Sequence, residues 1–195
     1  MSSALRIQRV THESGLIPQL VDLHWRCLPS TLTSNRGAGT VEGLYRSLLR
    51  RNHVAFAAVQ GDEVIGGVVV SKSGVPVPTT YLLLHQPWSW VLALSRLGVS
   101  SFVQQIADLL SLRSSTSRLG PHDYIIALYV SEKSRRTGVA TELLRECIAA
   151  AASSRVALGV DTTINNDSAL HLYRSNGFVE KARTRISVLL MRSAE

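Results

Sequence analysis

The sequence predicts a single α/β domain, and three observations carry that prediction. Tyr124 to Val130 (Tyr-Ile-Ile-Ala-Leu-Tyr-Val) is a near-continuous apolar run, the mark of a central strand covered on both faces. A polar loop follows, then a segment in which Val139, Leu143, Cys147, Ile148 and Ala151 share one face at helical spacing. Short strand-like and helix-like segments then alternate to the end of the chain. The 195 residues, 45% hydrophobic and 18% charged, are enough to bury one core and exclude a disordered chain.

The elements follow in order. Residues 5–10 alternate apolar and polar as an edge strand does. Leu16, Leu20, Leu23 and Cys27 recur at helical spacing, with Pro18 near the first turn, where proline is tolerated. Pro29 to Thr40 reads as a loop and 41–51 as a short helix. Strands at 53–59 and 63–71 are joined by Gln60-Gly61-Asp62, suited to a tight hairpin turn. Residues 72–120 form an apolar insertion of helical character, entered through Val75-Pro76-Val77-Pro78 and carrying Leu82, Leu83, Leu84, Trp88, Trp90, Leu92, Leu94 and Leu97. His85, Gln86 and Pro87 interrupt it, so it falls short of a membrane span. After the central strand and its helix come a strand at 156–160 and a helix from Asn166 or Asp167 to Asn176-Gly177. Gly177 suits the left-handed conformation past a helix end. Strands at 178–183 and 186–192 complete the chain.

Composition narrows the function. Cys27 and Cys147 are too few for a disulfide framework, and no CxxC or HExxH spacing exists, so no metal site is expected. No apolar signal segment opens the sequence, and a cytoplasmic location is the expectation. A net charge of +7 favours an anionic partner, a nucleic acid or a small polyphosphate, or else simply solvates the surface. Aromatic platforms in a basic context and nucleic-acid-binding motifs are both missing, so no nucleic-acid partner is expected.

The junction after the central strand, Val130-Ser-Glu-Lys-Ser-Arg135-Arg136-Thr137-Gly138-Val139-Ala140, is the informative element. The first amides of a helix lack internal partners and carry the positive end of its dipole. Gly138 lets a pyrophosphate approach the backbone, and Arg135 and Arg136 place positive charge beside it. An ordinary strand–helix connection with solvated arginines is the alternative reading. Arg135-x-x-Gly138-x-Ala140, preceded by Leu128-x-Val130, resembles the Q/R-x-x-G-x-G/A motif of the GNAT acetyltransferase superfamily. Asn166-x-x-Ala169-x-x-x-Tyr173-x-x-x-Gly177-Phe178 is similar to that family's second conserved segment and lies at the usual distance from the first.

The resemblance implies the GNAT fold: a mixed, mostly antiparallel sheet of six to seven strands flanked by helices on both faces, with the insertion placed before the central strand. It implies acetyl-CoA as acetyl donor. The pyrophosphate would lie on Arg135, Arg136, Thr137, Gly138, Val139, Ala140 and Thr141, and the pantetheine arm along Leu128, Tyr129 and Val130. Asn166 would contact the arm, and Tyr173 would lie near the sulfur as general acid for the departing thiolate. Tyr173 is otherwise a core tyrosine on the face of Ala169 and Leu170.

An amine must lose a proton before it attacks. Many relatives carry a glutamate on the central strand for this; here Ile125, Ile126 and Leu128 stand at the matching positions. The remaining candidates are Asp123 at the strand entrance, Asp161 just after the next strand, His122, and Tyr129 through water; each also has a structural reading, a cap on the following turn for Asp161 and plain solvent exposure for His122. The expected reaction is transfer of acetyl to a primary amine of a small molecule, an amino sugar among them. A protein amine, or a CoA-binding module without catalysis, are the alternatives. The insertion would pack on the domain's own sheet, pair with a second subunit in a homodimer, form a lid over the acceptor, or lie on a membrane surface through 81–97.

Overall fold

The computed structural model describes residues 4–28, 38–51, 53–72, 74 and 120–194. The loop centred on 29–37 and nearly all of the 72–120 insertion therefore lie outside the described residues. The elements are β1 (Leu5–Val10), α1 (Ile17–Cys27), α2 (Ala38–Arg50), β2 (Val54–Gln60), β3 (Glu63–Ser71), β4 (His122–Val130), α3 (Val139–Ser153), β5 (Ala157–Thr163), α4 (Asp167–Ser175), β6 (Val179–Arg183) and β7 (Ser187–Arg192). The strands form one seven-stranded sheet in the order β1-β2-β3-β4-β5-β7-β6. Every neighbouring pair is antiparallel except β4 with β5, which is parallel. The expected mixed sheet is thus observed.

Two apolar layers sandwich this sheet. On one face Val68, Ile125, Leu158, Val160 and Leu190 pack under α3 and α4 through Leu143, Leu144, Cys147, Leu170 and Tyr173. On the other, Ala55, Ala57, Val69 and Tyr129 pack under α1 and α2 through Ile17, Leu20, Val41, Leu44 and Tyr45. Burial on both faces explains why β2 and β3 read as unbroken apolar runs rather than alternating ones.

A local irregularity in β4 positions the site. Val69 of β3 stands opposite Ala127 and Val70 opposite Ile125, so Ile126 has no partner and bulges. Ile126 and Ala127 consequently both join the α1–α2 layer, while Ile125 and Leu128 face α3. Pairing between β4 and β5 stops at Ile125 opposite Val160. Beyond that point the two strands diverge, leaving a fork in the middle of the sheet.

A buried polar chain ties α1 and α2 to the diverging half of β4. The Tyr129 hydroxyl donates to the Leu20 carbonyl at 3.1 Å and lies 2.5 Å from the Tyr45 hydroxyl, itself 3.1 Å from His24 Nδ1. Gly67 makes room for it: a Cβ there would sit 2.6 Å from both Leu20 Cδ2 and the Tyr129 hydroxyl. His24 is 3% exposed, and burial pulls its pKa down from 6.5 to about 4. A lowered folded-state value means the neutral ring's contribution is complete above pH 6.5 and is lost as pH falls through 4. Over that window the loss reaches about 3 kcal/mol. Urea unfolding at a series of pH values is expected to show this decline, and a His24→Phe variant a flatter profile; parallel profiles would contradict it.

Candidate functional site

The loop from β4 to α3 begins with Ser131 N donating to the Ile65 carbonyl at 2.8 Å, which fixes where the chain leaves the sheet. A 3-10 turn over Glu132–Ser134 follows, closed by Ser131 Oγ to Ser134 Oγ at 2.9 Å and Thr137 Oγ1 to the Ser134 carbonyl at 2.7 Å. Arg136 (φ 63°) and Gly138 (φ 88°) are both left-handed. Gly138 is the N-cap of α3, and no side chain caps this helix. The first intrahelical bond comes from Glu142 N to the Gly138 carbonyl, so the amides of Val139, Ala140 and Thr141 have no acceptor within the helix. Arg135, Arg136, Thr137 and Gly138 are exposed, and a Cβ built on Gly138 meets nothing within 4 Å. Open space and unpaired helix-end amides form a cradle suited to an anion, with Arg135 and Arg136 exposed on the loop that leads into it and the Arg135 side chain hydrogen-bonded to Cys27.

The strand leading to it distributes the three residues expected along the pantetheine arm differently. Leu128 is half-buried toward α3, and Val130 is buried with its carbonyl accepting from the Cys27 thiol at 3.4 Å. The Tyr129 side chain is committed to the buried chain with Tyr45, and burial raises its pKa well above the phenol range. A base role for that hydroxyl finds no support there.

The proton-transfer candidates separate by their place on the fork. Asp123 pairs with Leu158 on the closed side and is buried, its carboxylate 2.5 Å from Lys72 Nζ, which also reaches Ser154 Oγ at 3.2 Å. His122 is buried rather than exposed, correcting the sequence expectation: its Nδ1 lies 2.7 Å from the Gly120 carbonyl under the turn that leads into β4. Asp161, by contrast, is the first residue of β5 past the last β4 partner, and it is exposed. Leu158 and Val160 face α3 and α4, so strand alternation sends Asp161 to the opposite face, where it accepts a hydrogen bond from the Tyr124 hydroxyl. Tyr124 is a partner of this candidate that sequence reasoning missed. It reads as one more apolar position in the central run, and only the β4–β5 register reveals its reach.

Tyr173 lies on the α3–α4 side, buried, its ring centroid 5.5 Å from that of Phe178. Burial raises its pKa above the ordinary phenol value, and the negative charge of Asp161 pushes it the same way. The hydroxyl therefore keeps its proton at neutral pH. Asn166 caps α4, its Oδ1 accepting from Ala169 N at 3.2 Å. A cavity of about 590 Å³, lined by Ile7, Phe56, Lys72, Ala150 and Ser153, lies at the C-terminal end of α3, away from the Gly138 end. Among the described residues no group of three or more His, Cys, Asp or Glu is placed to hold a metal ion, and no helix is long and apolar enough to cross a membrane.

A model of the acetyltransferase (GNAT) family matches residues 17–178. The chain belongs to the GNAT acetyltransferase family. Members are acyltransferases that bind acetyl-CoA or CoA, and this GNAT protein is an acyltransferase. No curated protein matches it in sequence. Among solved structures it is similar to an N-acetyltransferase from Staphylococcus aureus Mu50, at 10% identity and a TM-score of 0.66, with 99% of this chain and 100% of that one covered. It is similar also to the ribosomal-protein-S18-alanine N-acetyltransferase of Escherichia coli, at 13% identity, a TM-score of 0.62 and coverage of 98% and 95%. A third likeness is to the PaiA N-acetyltransferase of Thermoplasma acidophilum in complex with coenzyme A, at 9% identity, a TM-score of 0.59 and coverage of 97% and 99%. At such identities the likeness is one of fold.

Proposed function

We propose that this GNAT protein transfers the acetyl group of acetyl-CoA directly to the primary amine of a small molecule, with an amino sugar as the first candidate. The observation that carries the reading is the β4–β5 fork, with Asp161 on one face of its opening and Tyr173 on the other. The cradle around Gly138 lies at the same end of β4, where the pyrophosphate of acetyl-CoA would rest on the amides of Val139, Ala140 and Thr141. Leu128 and Val130 then border the arm, and the thioester reaches the fork.

In this reading Asp161 attracts the cationic amine and accepts its proton, leaving nitrogen's lone pair to attack the thioester carbonyl. A carbon–nitrogen bond forms and the carbon–sulfur bond breaks. The Tyr173 hydroxyl donates its proton to the departing sulfur and is reprotonated from solvent, while Asp161 releases the amine proton. Asp123, held by Lys72 on the closed side, is the less suitable base.

A protein amine is the second reading, and the fold likeness to an enzyme named for a ribosomal-protein alanine keeps it in view. CoA release from acetyl-CoA, followed with a thiol reagent, decides between them. Glucosamine and other small amines are expected to be turned over faster than a peptide with an N-terminal alanine. Turnover of the peptide alone would move the assignment to protein acetylation. Acetyl-CoA binding with no turnover of any amine would make the protein a CoA-binding module.

A further inference from the structure

We propose that Tyr124 is a positioning residue for the transfer, acting through Asp161; the proposal rests on the acetyltransferase reading above. Asp161 is an exposed carboxylate on a diverging strand, where an aspartate side chain ordinarily samples several rotamers. The Tyr124 hydroxyl is one partner that restricts that freedom. Its ring is 2% exposed and packs with Leu189, on a strand residue held between Ser71 of β3 and Gly159 of β5. It crosses β5 over Gly159, where a Cβ would lie 3.0 Å from Tyr124 Cδ2 and 3.4 Å from Cε2. The phenol therefore reaches two residues along β5 and donates to Asp161 Oδ1.

A buried tyrosine hydroxyl needs an acceptor, and a backbone carbonyl would satisfy it. Here the acceptor is instead the carboxylate at the mouth of the fork. A rigid donor on the closed, fully paired side of the sheet thus sets the direction of a group on the open side. Gly159 belongs to the same device, since a Cβ there would press on the Tyr124 ring as well as lying 2.7 Å from Met191 Sδ.

A kinetic double-mutant cycle separates this role from packing. Wild type, Tyr124→Phe, Asp161→Asn and the double variant are assayed for acetyl-CoA-dependent turnover of glucosamine and the other panel amines. Acetyl-CoA affinity by calorimetry and thermal unfolding are measured beside it. Asp161→Asn is expected to lower kcat about 100-fold and Tyr124→Phe about tenfold. The double variant should match Asp161→Asn within about twofold, and acetyl-CoA affinity should stay within about twofold throughout. Losses that multiply, or an unchanged kcat in Tyr124→Phe, would overturn the proposal and leave Tyr124 as a packing residue. If wild type turns over no amine, the transferase reading fails separately. The contact is then read from aspartate carboxyl-carbon NMR, with the Asp161 signal identified by its absence in Asp161→Asn. That signal is expected to shift in Tyr124→Phe; an unmoved signal would overturn the proposal by the second route.

Discussion

Gly138→Trp is expected to weaken acetyl-CoA binding by at least about 100-fold while the protein stays folded. Two features of the cradle set that expectation. The residue is left-handed at φ 88°, a conformation costing an L-side chain about 1–2 kcal/mol. The space before it is open, so an indole would project away from the core and into the volume proposed for the pyrophosphate. Only the strain reaches the folded state, and the unfolding midpoint should fall by a few degrees at most. Gly138→Ala carries the same strain without the bulk and should keep most of the affinity. Calorimetry and thermal unfolding on the three proteins check this. Unchanged affinity in Gly138→Trp would remove the cradle from the binding site.

Tyr173→Phe is expected to lower kcat about 100-fold and leave acetyl-CoA affinity within about twofold. The substitution removes one oxygen and keeps the ring that packs beside Phe178 and Leu170. In the proposed mechanism only the sulfur that acquires charge in the transition state needs the hydroxyl, and ground-state binding does not. Burial and the nearby negative charge of Asp161 keep the phenol protonated throughout the neutral range. Wild type should consequently show no loss of rate from Tyr173 ionisation until well above the ordinary phenol value. Steady-state kinetics with calorimetry distinguishes the roles. Equal losses in kcat and affinity would mean that Tyr173 packs and does not donate.

What could be read from the sequence depended on whether a feature is contiguous. The cradle occupies one unbroken stretch, Arg135 to Thr141, and the Asn166–Phe178 segment occupies another; each shows its residue types and spacing directly. The fork does not. Its bulge at Ile126 leaves no trace because both faces of β4 are apolar, so two successive residues on one face look like any other pair. The Tyr124–Asp161 contact spans 37 positions and exists only through the β4–β5 register. Element ends moved for related reasons. Sequence apolarity stops at Val160, yet β5 continues to Thr163 because β7 supplies partners for Asp161, Thr162 and Thr163. β4 begins at His122, two residues before the apolar run, since Lys72 neutralises the buried Asp123 and the Gly120 carbonyl takes up His122. The chain from His24 through Tyr45 to Tyr129 was equally hidden, since three distant segments supply it.

The central claim is that this fold binds the CoA moiety through the Gly138 cradle and the open edge of β4. Calorimetric titration of the purified protein with acetyl-CoA, repeated with desulfo-CoA and with ATP, tests it most directly. Saturable micromolar binding of both CoA compounds, tighter than that of ATP, is the expected result. No binding at millimolar acetyl-CoA would contradict the claim and leave the two motifs as features of the fold alone.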